Sequence, residues 1–193
     1  MLSLPDDLSQ KMIQTQKSRP LYIELDELTL RPWNSDDEAS LVQHANNRNI
    51  WLNVRDRFPH PYTANDAKLW IKIANRDTSM LNVAMEVDRQ AVGGLGIVFK
   101  DDVYHRTAEI GYWLGEAYWN QGLTSRAVAA LSEYVFAHYD IIRLYAGIFE
   151  HNVASARVLE KAGYTFEARL RCGVTKDGQT MDELIYSRLL LHE

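Results

Sequence analysis

Apolar and polar positions alternate at Leu21, Ile23 and Leu25, with Tyr22 and Glu24 between them, and the pattern resumes at Leu28-Thr29-Leu30. This period of two predicts a hairpin or a bent first strand, which Pro32 ends. Asn34-Ser35-Asp36-Asp37-Glu38 is rich in capping and acidic residues, and Ala39, Leu41, Val42 and Ala45 then follow at helical spacing. A helix is predicted there. Thr63 with Asp66 resembles a shortened capping box and opens a second helix through Ala67, Leu69, Trp70, Ile71 and Ile73. Between the two, Arg55-Asp56-Arg57-Phe58-Pro59-His60-Pro61 is a loop, because its two prolines forbid helix. Residues 1–20 hold few apolar anchors and read as a loose lead-in or short helix.

The middle of the chain turns to strands. Leu81–Val87, Ala91–Phe99 and Ala108–Leu114 are separated by Asp88-Arg89-Gln90 and Lys100-Asp101-Asp102. Such short polar connectors predict an antiparallel meander. A helix from about Leu123 to His138 sets Ala127, Val128, Leu131, Tyr134 and Val135 on one face. Strand Ile142–Phe149 follows, then a short helix Val153–Ala162 that ends at Gly163, a residue suited to a left-handed cap. Tyr164–Val174 and Gln179–Leu190 close the chain as a pair around the turn Lys176-Asp177-Gly178. Residues 21–193 therefore read as one mixed α/β domain.

Composition narrows the class. The 193 residues are 46% hydrophobic and 24% charged, which argues against disorder. A chain of this length buries roughly 70% of its unfolded surface and needs no staple. The net charge of −5 and a pI near 5.7 speak against direct nucleic-acid binding. Cys172 is alone, which excludes an internal disulfide and a cysteine metal cluster. Pro5, Asp6 and Asp7 spoil a secretory apolar core, and no apolar run approaches the ~18 residues that cross a bilayer. The expectation is a soluble cytoplasmic protein without a membrane segment.

The most informative stretch runs from Glu109 through Gly111-Tyr112-Trp113-Leu114-Gly115 to Gln121-Gly122-Leu123-Thr124-Ser125. A strand, a glycine-containing loop and a helix N-terminus together leave free N–H groups at the positive end of a helix dipole, which suits an anion. Gly122 lets the backbone approach a phosphate, and Thr124 or Ser125 adds a hydroxyl. On spacing alone, Gly122 as a simple turn and Ser125 as a simple cap compete with that reading.

Trp119-Asn120-Gln121-Gly122-Leu123-Thr124 before one helix, and His151-Asn152 to Ser155 before a second that ends Lys161-Ala162-Gly163-Tyr164, resemble the GNAT acetyltransferase superfamily. The Gly-Tyr-Trp-Leu lead-in, Leu28-Thr29-Leu30-Arg31-Pro32-Trp33 and the terminal hairpin resemble the Rim-type ribosomal-protein N-terminal acetyltransferases within it. The likeness covers residues 21–190. It implies a splayed, mostly antiparallel sheet of about seven strands flanked by about four helices. The fourth and fifth strands, Glu109–Leu114 and Ile142–Phe149, would grip acetyl-CoA. A backbone N–H near Trp113 or Leu114 would meet the thioester carbonyl, the 121–125 loop the pyrophosphate, and Asn152 and Ser155 the pantetheine arm and sulfur. The resemblance also implies Glu167 as general base, with Glu109 as second candidate. Many members carry a tyrosine seven residues after the asparagine; here Leu159 stands there and cannot donate a proton. Ser155 would contact the sulfur or simply cap its helix. Trp119 stands where many members have Gln or Arg, and Thr124 where Gly or Ala is usual.

Other constellations carry less. Gly93-Gly94-Leu95-Gly96 lacks the third fingerprint glycine and a following helix, so a bulge or close packing is expected. The six histidines show no ligand spacing, and no metal is expected. Arg48, Arg55 and Arg57 are either a solvated face or a substrate or phosphate contact. The function expected is acetyl transfer from acetyl-CoA to a primary amine, a protein or peptide N-terminus, by a monomer or homodimer. The alternatives are acetylation of a small amine such as a polyamine, a non-catalytic acyl-CoA sensor, and a bare structural domain.

Overall fold

The computed structural model describes residues 21–190, so the expected lead-in, residues 1–20, lies outside the described residues. One sheet organises the molecule. In chain order its strands are β1 (Ile23–Leu25), β2 (Leu28–Arg31), β3 (Met80–Val87), β4 (Gln90–Phe99), β5 (Thr107–Leu114), β6 (Arg143–Phe149), β7 (Thr165–Lys176) and β8 (Gln179–Leu189). They lie side by side as β1-β2-β3-β4-β5-β6-β8-β7. Every neighbouring pair is antiparallel except β5 and β6.

Among the described residues there are five α-helices: α1 (Glu38–Ala45), α2 (Arg48–Trp51), α3 (Ala64–Arg76), α4 (Leu123–His138) and α5 (Val153–Lys161). The expected fold class holds, with one strand and one helix more than expected. The extra strand arises because Asp26, at φ 48°, turns Leu21–Leu30 into a true hairpin rather than one bent strand. The extra helix is the single turn α2, which Asn47 caps by accepting from the N–H groups of Asn49 and Ile50. The strands expected fourth and fifth are therefore β5 and β6.

Two apolar layers sandwich the sheet. On one face α4 and α5 pack through Leu123, Ala127, Leu131, Val135 and Leu159 onto Ile97, Ala108, Ile110 and Leu144. On the other, α1 and α3 present Leu41, Ala45, Ala67 and Ile71 to Trp33, Ala84 and Ala91. Alternation along a strand assigns each residue to one face or the other. In β5, Ala108, Ile110 and Tyr112 look toward α4, while Glu109, Gly111 and Trp113 look away from it. The expected antiparallel meander is present, and its β3–β4 turn puts both Asp88 and Arg89 at positive φ. Gly93 and Gly94 serve close packing as expected: a Cβ on either would meet the Trp113 backbone or the Trp33 ring within 3 Å.

Buried Arg31 ties the first hairpin to α1. Its guanidinium meets both carboxylate oxygens of Asp37 at 2.8 and 2.7 Å, and Glu86 of β3 at 2.5 Å. Asp37 also accepts from the N–H of Asn34 at 2.9 Å, completing the capping box that starts this helical segment. A buried charge needs such saturation of its hydrogen bonds.

Candidate active site between two diverging strands

β5 and β6 begin as paired parallel strands and then separate. Their register covers only Thr107–Glu109 against Arg143–Tyr145, although β5 continues to Leu114 and β6 to Phe149. Beyond that point β5 stays bonded to β4 as far as Leu114, and β6 to β8 as far as Phe149. Each strand is thus satisfied on its outer edge and presents an open backbone edge to the gap.

The orientation of Leu114 follows from its neighbours. The N–H of Gly115 donates to Val92 O at 2.7 Å, toward β4. Successive residues of a strand alternate in direction, so the N–H and carbonyl of Leu114 point the other way, into the gap. The indole of Trp119 confirms this side by donating to Leu114 O at 2.8 Å. Of the expected pair, Trp113 and Leu114, it is Leu114 whose N–H faces the gap. Trp119 fills a role the sequence did not suggest: it satisfies the carbonyl and leaves the N–H open.

Gly122 precedes α4 at φ 76° and ψ 0°, a left-handed conformation that glycine adopts without strain. The first intrahelical bond is from Arg126 N to Gly122 O at 3.2 Å, so the N–H groups of Leu123, Thr124 and Ser125 form the open end of the helix. The side chains of Leu123 and Thr124 are buried, which keeps the unusual threonine away from the open helix end. Gln121, Gly122, Ser125, Arg126, Ala129 and Lys161 line a cavity of about 440 Å³ at this helix end. The helix dipole and Lys161 make this end positive, while Arg126 is held by Glu27 and by Asp26 at 3.4 Å.

Across the gap, Asn152 caps α5: its Oδ1 accepts the N–H of Ser155 at 3.0 Å. The cap is Asn152, and the Ser155 hydroxyl is turned to Tyr112 Oη, 2.7 Å away. Tyr112 belongs to β5, so this hydrogen bond bridges the two sides of the gap on the α4 face.

The opposite face carries the carboxylates. Glu109 accepts from Arg55, from Lys100 Nζ at 3.2 Å and from Tyr145 Oη at 3.4 Å. Glu183, on β8 opposite Phe149, lies over β6: a Cβ on Gly147 would come within 2.2 Å of its Oε1. Burial raises the Glu183 pKa above the ordinary carboxylate value, Arg55 opposes this and Glu109 adds to it. Gly111, between Glu109 and Trp113, is exposed with open space above it, leaving an unfilled slot in the floor. The β7–β8 turn closes over the loop that bears Arg55. Buried Lys176 sits 2.6 Å from Asp56 Oδ1 and 3.7 Å from the Trp51 ring centre, and Arg48 meets Asp177 at 2.7 Å.

Glu167 is not brought to this centre. It lies on edge strand β7, half-exposed, with its carboxylate 2.6 Å from Arg143. Its pKa is lowered, first by a hydrogen bond from Ser187 and then by Arg143, which makes it a weaker proton acceptor. Arg143 opens β6, roughly 20 Å of strand from Phe149 at the Asn152 end. The carboxylate that shares the field of Glu109 and Arg55 is Glu183, which the sequence reading did not single out. It was missed because an acidic residue within an alternating strand reads as solvent-facing until its cross-strand partners are known.

A family model for the acetyltransferase (GNAT) domain matches residues 27–165. The uncharacterized N-acetyltransferase YnaD of Bacillus subtilis is 25% identical over 88% of this chain and 97% of its own length. YoaA of the same organism is 35% identical over 43% of the chain, and the chain spans only about half of its length, 47%. Spermidine N(1)-acetyltransferase of Escherichia coli K12 is 27% identical over 73% of this chain and 74% of its length. Among solved structures, RimL, a ribosomal L7/L12 alpha-N-protein acetyltransferase in complex with coenzyme A, superposes with a TM-score of 0.77 at 20% identity, over 88% of this chain and 98% of that one. With the diverging strands and the glycine-capped helix in place, the family match over most of its length makes this chain a member of the GNAT acetyltransferase family.

Proposed function

We propose that this protein transfers an acetyl group from acetyl-CoA directly to a primary amine, the α-amine at the N-terminus of a peptide or protein. The observation that carries the reading is the gap itself, with an anion site, an inward N–H and a carboxylate floor arranged around it. The pyrophosphate of the coenzyme sits on the N–H groups of Leu123–Ser125, with Gln121, Gly122 and Arg126 beside it. The thioester carbonyl accepts from Leu114 N–H, a donor placed where negative charge grows on that oxygen. Asn152 and Ser155 flank the pantetheine arm and sulfur.

The amine enters from the carboxylate face over Gly111. Glu183 accepts its proton, directly or through a water, and Glu109 and Arg55 set the local field. An α-ammonium, of pKa about 8, yields its proton to a carboxylate more readily than a polyamine ammonium near ~10. The cations Arg55 and Lys100 around Glu109 also disfavour a polycation. Nitrogen attacks the carbonyl carbon, the carbon–sulfur bond breaks, and the coenzyme leaves as a thiolate near Ser155. The likeness to a spermidine acetyltransferase keeps a small amine as the second reading.

Three outcomes test this. In Gly122→Val a Cβ would meet nothing in the protein within 4 Å, so the damage comes from forcing a β-branched residue to φ 76°. Calorimetric titration should show acetyl-CoA binding weakened on the order of tenfold; parental affinity would remove the loop from the site. Thiol release from acetyl-CoA, measured over peptides of varied first residue and over spermidine, should be fastest with free-N-terminal peptides and absent with Nα-blocked ones. Turnover of spermidine alone would establish the small-amine reading, and binding without turnover the sensor. Glu183→Gln should lower kcat on the order of 10²-fold with acetyl-CoA affinity kept. A base works only when ionised, so the parental rate should fall as pH drops through the raised Glu183 pKa, and the variant should lack that limb. An unchanged acidic limb would return the role to Glu109 or Glu167.

A further inference from the structure

Tyr112 is a phenol that the reaction as described above does not use, held across the gap within two residues of the Leu114 N–H. Its Oη is 2.7 Å from Ser155 Oγ, where either oxygen can donate, and 3.2 Å from Ser155 O, to which it donates. We infer that Tyr112 is a positioning residue that acts through Ser155, donating to Ser155 Oγ so that the serine's own hydrogen is aimed at the departing coenzyme sulfur. This rests on the reading that places the sulfur beside Ser155.

Two arrangements share one geometry. At rest, Ser155 donates to Tyr112 Oη, and Tyr112 donates to Ser155 O. When negative charge appears on the sulfur, both hydroxyls rotate: Tyr112 donates to Ser155 Oγ, and Ser155 donates to the thiolate. Tyr112 keeps an acceptor in both arrangements. No proton has to leave either residue. The electron pair of the broken carbon–sulfur bond stays on sulfur, the amine's proton goes to Glu183, and the thiolate takes a proton from water on release. Donation into Ser155 Oγ polarises its O–H and strengthens the second bond of the chain. Burial raises the Tyr112 pKa well above its ordinary value, so it stays a donor throughout the working range. Asn152 supplies the cap of α5, which frees the Ser155 hydroxyl for this task.

The probe is CoA itself, which needs no acceptor. The ionisation of its thiol is followed by thiolate absorbance against pH, free and bound to the full-length protein, with binding measured separately by calorimetry. Bound to the parent, the thiol should titrate below the value that free CoA shows in the same buffer. Ser155→Ala should abolish this depression, and Tyr112→Phe should remove roughly half to one unit of it, about what one hydrogen bond supplies. In the Ser155→Ala background, Tyr112→Phe should do nothing further, because its effect passes through the serine. Should Tyr112→Phe fail to fold, a thiol pKa in Ser155→Ala equal to the parent's still overturns the inference, because Tyr112 acts only through that serine. A parental thiol pKa in folded Tyr112→Phe, or an equal shift in both backgrounds, overturns the inference. If CoA binds the parent with an unshifted thiol, the placement of the sulfur at Ser155 falls as well, and if CoA does not bind, the acetyltransferase reading falls with it.

Discussion

The separation of β5 from β6 is the constraint on which the rest of the site depends. A parallel pair normally satisfies its backbone along its whole length, yet here the pairing stops at Glu109 and Tyr145. The strands beyond that point survive because each keeps its outer partner, β4 or β8. Their inner edges are tolerable only where side chains or a ligand meet them, since unpaired buried peptide groups are costly. The protein meets part of this need itself, with the Trp119 indole on the Leu114 carbonyl. What remains is an inward N–H at the height of the Tyr112–Ser155 bridge, a shape suited to an extended ligand that brings its own hydrogen-bonding groups.

The two faces of the sheet divide the electrostatic work. On the α4 face, the open helix end with Arg126 and Lys161 is positive. Arg126 is engaged by Glu27 at the surface, a screened contact that a phosphate can exchange. On the opposite face, Glu109 and Glu183 share a field with Arg55. One side thus offers backbone donors beside Lys161 and the other a pair of carboxylates, with the gap between them. The Lys176 turn, packed on Trp51 and Asp56, holds the loop that carries Arg55 and so couples the distant end of the chain to the carboxylate face.

Much of this was legible in the sequence because it is local. Strand alternation, the capping box at Thr63 and Asp66, and the glycine before α4 each depend on a few neighbouring residues, and each stands in the structure. The site's acids depend on pairing between distant strands. Glu167 and Glu183 both lie in the closing hairpin, and only the order β6-β8-β7 sets Glu183 beside the gap and Glu167 at the edge. Lys176 shows the same effect, since it sits in a run that reads as an exposed turn and yet is buried under an aromatic ring. Ser155 could be read two ways from sequence, because a serine at a helix start is favoured as a cap; the geometry makes Asn152 the cap, its Oδ1 accepting the N–H of Ser155, and leaves the serine hydroxyl to Tyr112.

Amide hydrogen exchange with and without acetyl-CoA tests the central claim most directly, because the claim concerns backbone N–H groups at an open edge. The account predicts that acetyl-CoA slows exchange at Leu114, at Leu123–Ser125 and around Asn152–Ser155, and leaves α3 on the opposite face unchanged. Protection confined to α3, or binding that leaves the Leu114 amide exchanging at its free rate, would contradict the assignment of this gap as the coenzyme site.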